Sequence, residues 1–398
     1  MTYNFDRIID RSNTDSLKYD FATRRGMPED ILPLWVADMD FATPDEVTEA
    51  LVERCRHGIF GYSEGREAYF EALHNWYESR YGWKVKREWL VKTPGVVYAI
   101  NQAIQAYSLV GEGVIIQEPV YYPFRESVEA NKRHLLVNEL IYKDGAYVID
   151  FEDFERKIIE GHVKLFILCS PHNPVGRVWS EKELITLGNI CLKHDVLVVA
   201  DEIHSDFVYP GHEHLVFANI KEEFEQITIT CTSPSKTFNL AALQLSNVFI
   251  ANRGLRKLFR EAMTRSGYSQ PNIMGLISCS AAYSHGQQWL QELKLYLKGN
   301  LDYFKATLSK YVPEAIVVEP EGTYLVWVDL SQVPVFVGMT PKAMDQFMVK
   351  KANLWLDGGS MFGTGGAGFQ RFNIACPRAT LEKATQQLIN AIEKEGKV

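Results

Sequence analysis

Between residues 113 and 251 the chain alternates short β-branched runs with stretches of helical periodicity, and that alternation is the signature of βαβ units feeding a largely parallel sheet. The runs are GVIIQ (113 to 117), VKLFILC (163 to 169), VLVVA (196 to 200), ITITCT (227 to 232) and SNVFIA (246 to 251). Between them the pattern predicts helices such as Val96 to Ser108 and Glu181 to His194. The second carries Leu184, Leu187 and Cys191 at three- and four-residue spacing, with Ser180 as N-cap and Glu183 as its capping-box partner. From Gln287 to Tyr311 a long amphipathic helix is expected, with Leu290, Leu293, Leu297, Leu301, Phe304 and Leu308 on one face. Beyond it come YLVWVDL, a helix near 341 to 351, a Gly-rich loop and the strand FQRFNIA. The prediction is an α/β chain: a large domain over 48–286, and a smaller α+β domain from residues 1–47 and 287–398.

Composition narrows the function. At about 100 to 200 residues per domain, 398 residues bury a core without disulfide or metal staples. With 42 Lys+Arg against 50 Asp+Glu, the formal charge of −8 offers no excess positive charge to nucleic acid or to an anionic membrane. No apolar run approaches the roughly 18 to 20 residues of a spanning helix. The N-terminal MTYNFDRIIDRSNTD lacks a basic stretch followed by an apolar one, so a cytoplasmic location is expected. The six cysteines, Cys55, Cys169, Cys191, Cys231, Cys279 and Cys376, show no CxxC pair and are expected to be buried free thiols.

Three motif matches lack the context their chemistry needs. GYSEG (61 to 65) fits the hydrolase G-x-S-x-G, but a nucleophile at Ser63 requires a strand directly before it, and a helix-like stretch precedes it. GTGGAG (363 to 368) fits a dinucleotide loop, yet it runs into a strand instead of opening a helix. The histidines of DEIHSD and HEH supply no four-ligand spacing, so no metal is expected.

Polar residues at the C-terminal ends of the predicted strands carry more information, because an open α/β sheet places its ligand crevice there. VLVVA runs into Asp201-Glu202, ITITCT into Ser233-Pro234-Ser235-Lys236, and VKLFILC into SPHNPVG (170 to 176). Together they meet the needs of pyridoxal phosphate: an amine for its aldehyde, a carboxylate for its pyridine nitrogen, and hydroxyls with free N–H groups for its phosphate. Lys236 is the candidate amine and Asp201 the candidate carboxylate. Ser233, Ser235 and the turn at Gly95, with the N–H groups of Val96 and Val97, suit the phosphate. Tyr121, in EPVYYPF, is placed to lie on the ring face and Asn173 to hydrogen-bond the ring oxygen.

The order of these motifs resembles the class I/II aminotransferase superfamily of fold-type I pyridoxal-phosphate enzymes over essentially the full chain: GIFGYSEG, TPGVV, EPVYYPF, HNPVG, DEIHSD, SPSKTF and RFNIA. PLWVADMDF, PHNPVGRVWS and SPSKTFNLAALQ are similar to its MalY/PatB-type cystathionine β-lyase (C–S lyase) subgroup. The resemblance implies an aminotransferase-like large domain. It implies that Lys236 binds the cofactor aldehyde and shuttles protons, that Asp201 partners the pyridinium, and that Tyr121 stacks on the ring. Ile203 is implied behind the ring and His204 beside its oxygen. Arg371 is implied to fork onto the substrate carboxylate, a task suited to guanidinium, with Ala37 nearby. Tyr62 is implied to reach the neighbouring subunit's phosphate, hence a homodimer with shared sites.

One departure from the aminotransferase pattern is Gln244, eight residues after Lys236, where many aminotransferases carry a phosphate-binding arginine. It agrees with the lyase subgroup. The expected reaction is therefore α,β-elimination from a sulfur amino acid, with Lys236 as base and Tyr121 or Tyr62 assisting proton movement. Transamination is the alternative. A catalytically silent binding protein on the same fold would be marked by loss of Lys236, Asp201 or Arg371, and all three are present.

Overall fold

The computed structural model describes residues 2–143 and 145–396. Seven strands form its central sheet: β1 (Leu90–Thr93), β2 (Gly113–Glu118), β3 (His134–Glu139), β4 (Val163–Cys169), β5 (Leu197–Asp201), β6 (Thr228–Thr232) and β7 (Ser246–Phe249). Their spatial order is β1-β7-β6-β5-β4-β2-β3. Only β7 runs against its neighbours, β1 and β6, so the other strands all end at one edge.

The sheet is covered on both faces. Along β4, Leu165, Ile167 and Cys169 enter one apolar cluster, while Phe166 and Leu168, pointing the other way, enter a second. Helix Val96–Tyr107 seals the first with Val96, Ala99, Ile100, Ala103 and Ile104; helices Phe151–Glu160 and Glu181–Lys193 seal the second. Each buried Val, Leu, Ile or Phe among them contributes roughly 1.5–3 kcal/mol by leaving water. The capping box forms as expected: Ser180 Oγ accepts the Glu183 N–H, and Glu183 Oε2 accepts the Ser180 N–H at 2.8 Å.

Several boundaries differ from the sequence reading. β5 starts at Leu197 because Val196 N–H bonds back to Cys191 O at 2.9 Å, closing the preceding helix, and it includes Asp201. Ile227 ends helix Glu222–Ile227 instead of opening β6, and β7 stops at Phe249, opposite Leu90, the first residue of β1. Ser108 is extended and lies outside its helix. Helix Gln287–Tyr311 has the expected bounds and buries all six of its expected apolar residues.

A second, antiparallel sheet comprises β8 (Ile316–Val317), β9 (Leu325–Asp329), β10 (Asp357–Gly358) and β11 (Phe369–Asn373), in the order β8-β9-β11-β10. The N-terminal segment lies along it. Leu32–Pro33 pairs with Leu354–Trp355, Asn373 N–H reaches Leu34 O at 3.0 Å, and the Asn373 amide donates to Val36 O and Asp38 O at 2.7 and 2.6 Å. Residue 48 falls inside helix Asp45–His57, while 286 separates helices Ile273–His285 and Gln287–Tyr311. Among the described residues no helix is long and apolar enough to cross a membrane.

Candidate active site

The adjacent strands β2, β4, β5 and β6 deliver Tyr121, Asn173, Asp201 and Lys236 to the same edge, and β1 delivers Gly95 there. Tyr121 N–H donates to Asn173 O at 3.0 Å, which fixes two of these loops to each other. Asp201 closes β5 and is buried. Among the described residues its carboxylate accepts one hydrogen bond, from the Ile203 N–H at 3.1 Å, and has no ion pair. Burial pushes its carboxyl up to about 7, against the opposing pull of that N–H and of the Lys236 charge.

Lys236 stands in the one-turn helix Pro234–Thr237. Its Nζ donates to Ala37 O at 2.9 Å, joining residues 199 apart in sequence. Burial lowers this amine to about 8; the Arg371 charge acts in the same direction, and Asp38 and Asp201 oppose it. His204 is buried, its Nδ1 has no partner among the described residues, and it is pushed down to about 3, by burial first and then by the charges of Lys236 and Arg371. Ile203 and Tyr121 border the same apolar cluster.

At the anion end, the first intrahelical bond of Val96–Tyr107 runs from Ala99 N–H to Gly95 O at 3.1 Å, so the N–H groups of Val96 and Val97 have no acceptor within the helix. Gly95 itself is extended and has open space where a Cβ would stand. Ser233 caps the lysine turn by accepting the Ser235 N–H at 3.1 Å, and it donates to Leu245 O at 2.7 Å. Its hydroxyl hydrogen is therefore engaged inside the chain. Ser235 is half-buried beside it.

Arg371, in β11, reaches this edge from the second sheet. Its guanidinium donates to Asn173 Oδ1 at 2.9 Å and Trp35 O at 2.7 Å, pairs with Asp357, and lies 4.8 Å from the Phe362 ring centroid. Asp357 stands directly opposite it in β10. Among the described residues the buried Arg371 Nε has no acceptor, so part of the fork remains free. Ala37 contributes its carbonyl. Tyr62 is different: it is 97% exposed, in a loop with exposed Ile59 and Phe60, and the single chain does not bring it to Lys236.

Sequence reasoning missed Tyr324, whose hydroxyl shares the Ala37 carbonyl with Lys236 at 2.8 Å, and missed Asp38 and Asp357. An acid inside the apolar LWLDGG was the only available signal for Asp357. Ser63 lies outside any strand and donates to Gly61 O, while the Gly-rich segment forms tight turns before β11. Cys55 is exposed, contrary to the expectation that every thiol is buried, because it faces outward near the end of helix Asp45–His57. His214 pairs with Glu202 at 3.2 Å, and no cluster suited to a metal ion occurs among the described residues.

This fold, with its strand-end lysine and carboxylate, is that of the fold-type I enzymes. The profile of the family "Aminotransferase class I and II" matches residues 29–388, and the chain belongs to that family. Within it, the chain is 44% identical to cystathionine beta-lyase PatB of Bacillus subtilis, over 98% of this chain and 100% of the relative. It is 33% identical to Protein MalY of Escherichia coli, over 98% and 99%. The crystal structure of cystalysin from Treponema denticola, which contains a pyridoxal 5'-phosphate cofactor, superposes with a TM-score of 0.95 at 36% identity, covering 99% of this chain and 100% of that one.

Proposed function

We propose that the chain is a pyridoxal-phosphate-dependent carbon–sulfur lyase, cleaving L-cystathionine or a related cysteine S-conjugate by α,β-elimination to a thiol (homocysteine from cystathionine), pyruvate and ammonia. The observation that carries the cofactor is Asp201, a buried carboxylate left, among the described residues, without a basic partner on the strand next to the one that leads to a depressed lysine amine. A carboxylate in that state calls for a cationic ligand group, which a protonated pyridine supplies. The unpartnered His204 Nδ1 and the free N–H groups at Val96 and Val97 fit the same cofactor. The name of PatB and the cofactor in cystalysin support the reaction and the cofactor respectively.

When bound, pyridoxal phosphate supplies an aldehyde for amines and a ring that accepts the electron pair left at Cα. Lys236 Nζ, with a pKa of about 8, combines reach with enough basicity to take the Cα proton near neutral pH. Asp201 keeps the pyridine nitrogen protonated. Asn173 and His204 would serve the ring oxygen, and Tyr121 and Ile203 would hold the ring. Gly95, Val96, Val97 and Ser235 would serve the phosphate, with Ser233, whose proton is given to Leu245 O, holding the Ser235 N–H in place instead, and with Tyr62 arriving from a second copy of the chain. Arg371, fixed by Asp357 and Trp35 O, holds the substrate carboxylate beside Ala37. Tyr121 or Tyr62 assists proton movement. The proposal includes a homodimer located in the cytoplasm, with domains divided at 48–286 against 1–47 and 287–398.

The test is pyruvate release from L-cystathionine by the yellow purified protein, without added keto acid. Sustained turnover that disappears in Lys236→Ala is expected. Bleaching of the yellow colour that a keto acid reverses, with no pyruvate, would move the assignment to an aminotransferase.

A further inference from the structure

Asp206 has no part in the chemistry above, yet it joins three pieces of the site. It is buried in the loop that follows Asp201. Its Oδ2 accepts the Thr237 hydroxyl at 2.8 Å; its Oδ1 accepts Arg80 Nε at 2.9 Å and the Tyr81 hydroxyl at 2.8 Å. Thr237 follows Lys236 directly and is itself buried. Arg80 and Tyr81 end helix Glu67–Tyr81, and Arg80 lies 4.4 Å from the Trp76 ring centroid, so the clamp rests on a packed element.

The lysine turn needs such an anchor. A four-residue helix is too short to hold its own shape, and a lysine side chain adds several freely rotating bonds. Within the turn, Ser233 fixes the start, and the Phe238 N–H reaches Pro234 O at 2.9 Å. The Glu202 N–H to Cys231 O bond, at 3.0 Å, ties the loop after Asp201 to β6, but none of the turn's own bonds above refers it to that loop. The Thr237–Asp206 bond does.

We infer that Asp206 is a positioning residue: through the Thr237 hydroxyl it sets Lys236 against Asp201, and so governs the chemical step. This inference rests on the cofactor assignment made above. Small displacements of a reacting group cost rate far more than they cost binding.

The experiment compares holoenzyme of Thr237→Val, Thr237→Ser and Asp206→Asn with wild type. It reads kcat and KM for pyruvate release from L-cystathionine, and the pH midpoint at which the visible band of the bound cofactor changes. Thr237→Val and Asp206→Asn are expected to lower kcat about tenfold or more, with KM within about twofold. Both should displace the band midpoint by about half a pH unit or more. Thr237→Ser, which keeps the hydroxyl, should match wild type. Thr237→Val leaves the Arg80 pair intact, so it decides the matter if Asp206→Asn does not fold. Wild-type kcat and midpoint in Thr237→Val, whatever its melting temperature, would overturn the inference; so would a Thr237→Ser as impaired as the valine. If wild type releases no pyruvate, the lyase reading fails, and the band midpoint, which needs only bound cofactor, still decides for or against the clamp.

Discussion

Asp40 and Asp201 are both buried carboxylates, and the chain treats them in opposite ways. Asp40 accepts from Lys18 Nζ and Arg11 at 2.8 Å each and from the Tyr19 hydroxyl at 3.0 Å, and Lys18 is fully out of solvent. Arg11 also reaches Asp38 at 2.7 Å. Every charge in this N-terminal knot has a partner of opposite sign. Asp201 has one backbone N–H and no cation. Both are costly to bury, and the difference lies in what completes them: the first is satisfied by the chain itself, the second only by something the chain binds. The knot has its own bearing on the site, since it fixes residues 38 and 40 on either side of Met39, next to the Ala37 carbonyl that receives Lys236.

The comparison breaks or holds on three variants. Lys18→Ala leaves Asp40 buried with its partners reduced, and should cost about 3 to 5 kcal/mol in urea denaturation; a variant of wild-type stability would show that the knot is not what holds the N-terminal segment. For Asp201 the sign is opposite. Its folded pKa of about 7 lies above the ordinary 3.8, so the folded, cofactor-free chain binds the proton more tightly than the unfolded one. Stability of the cofactor-free protein should therefore fall as pH rises from about 4 to about 7, by at most about 4 kcal/mol from this group. Asp201→Asn should lack that component of the slope, measured as the difference between the two stability–pH curves; identical curves would mean that Asp201 is not strained in the empty site. Arg371 is intermediate, ion-paired to Asp357 yet with Nε unpartnered. Arg371→Lys should raise KM for L-cystathionine about tenfold to 100-fold with a smaller effect on kcat, because ammonium cannot reproduce the fork. An unchanged KM would remove Arg371 from carboxylate binding.

Much of the central sheet was readable. β2, β4, β5 and β6 announce themselves as largely apolar or β-branched runs, and polar residues at or just beyond the ends of the last three break those runs, which is why Asn173, Asp201 and Lys236 stood out. The edge strands β1 and β3 did not: LVKT is short, and HLLVNE is only partly buried, so neither carries a clear period. The glycine of TPGVV turned out to have room for a Cβ, so its turn is not a steric demand of this chain alone. Tyr62 reads as a site residue only by resemblance, because nothing in the single chain draws it toward Lys236.

Local sequence by itself determined the α/β alternation, the capped start at Ser180 of helix Glu181–Lys193, the bounds of Gln287–Tyr311 and the polar ends of the strands, because period, capping and turn chemistry act over a few residues. Only the tertiary structure decided that Lys236 meets the carbonyl of Ala37, that Arg371 meets Asn173 across 198 residues, that Tyr324 and Asp357 stand behind them, and that Asp206 grips Thr237. Those contacts come from two sheets and an N-terminal segment packing together. Their partners are chosen by shape and by the need to satisfy buried polar groups, and neither leaves a period in the sequence.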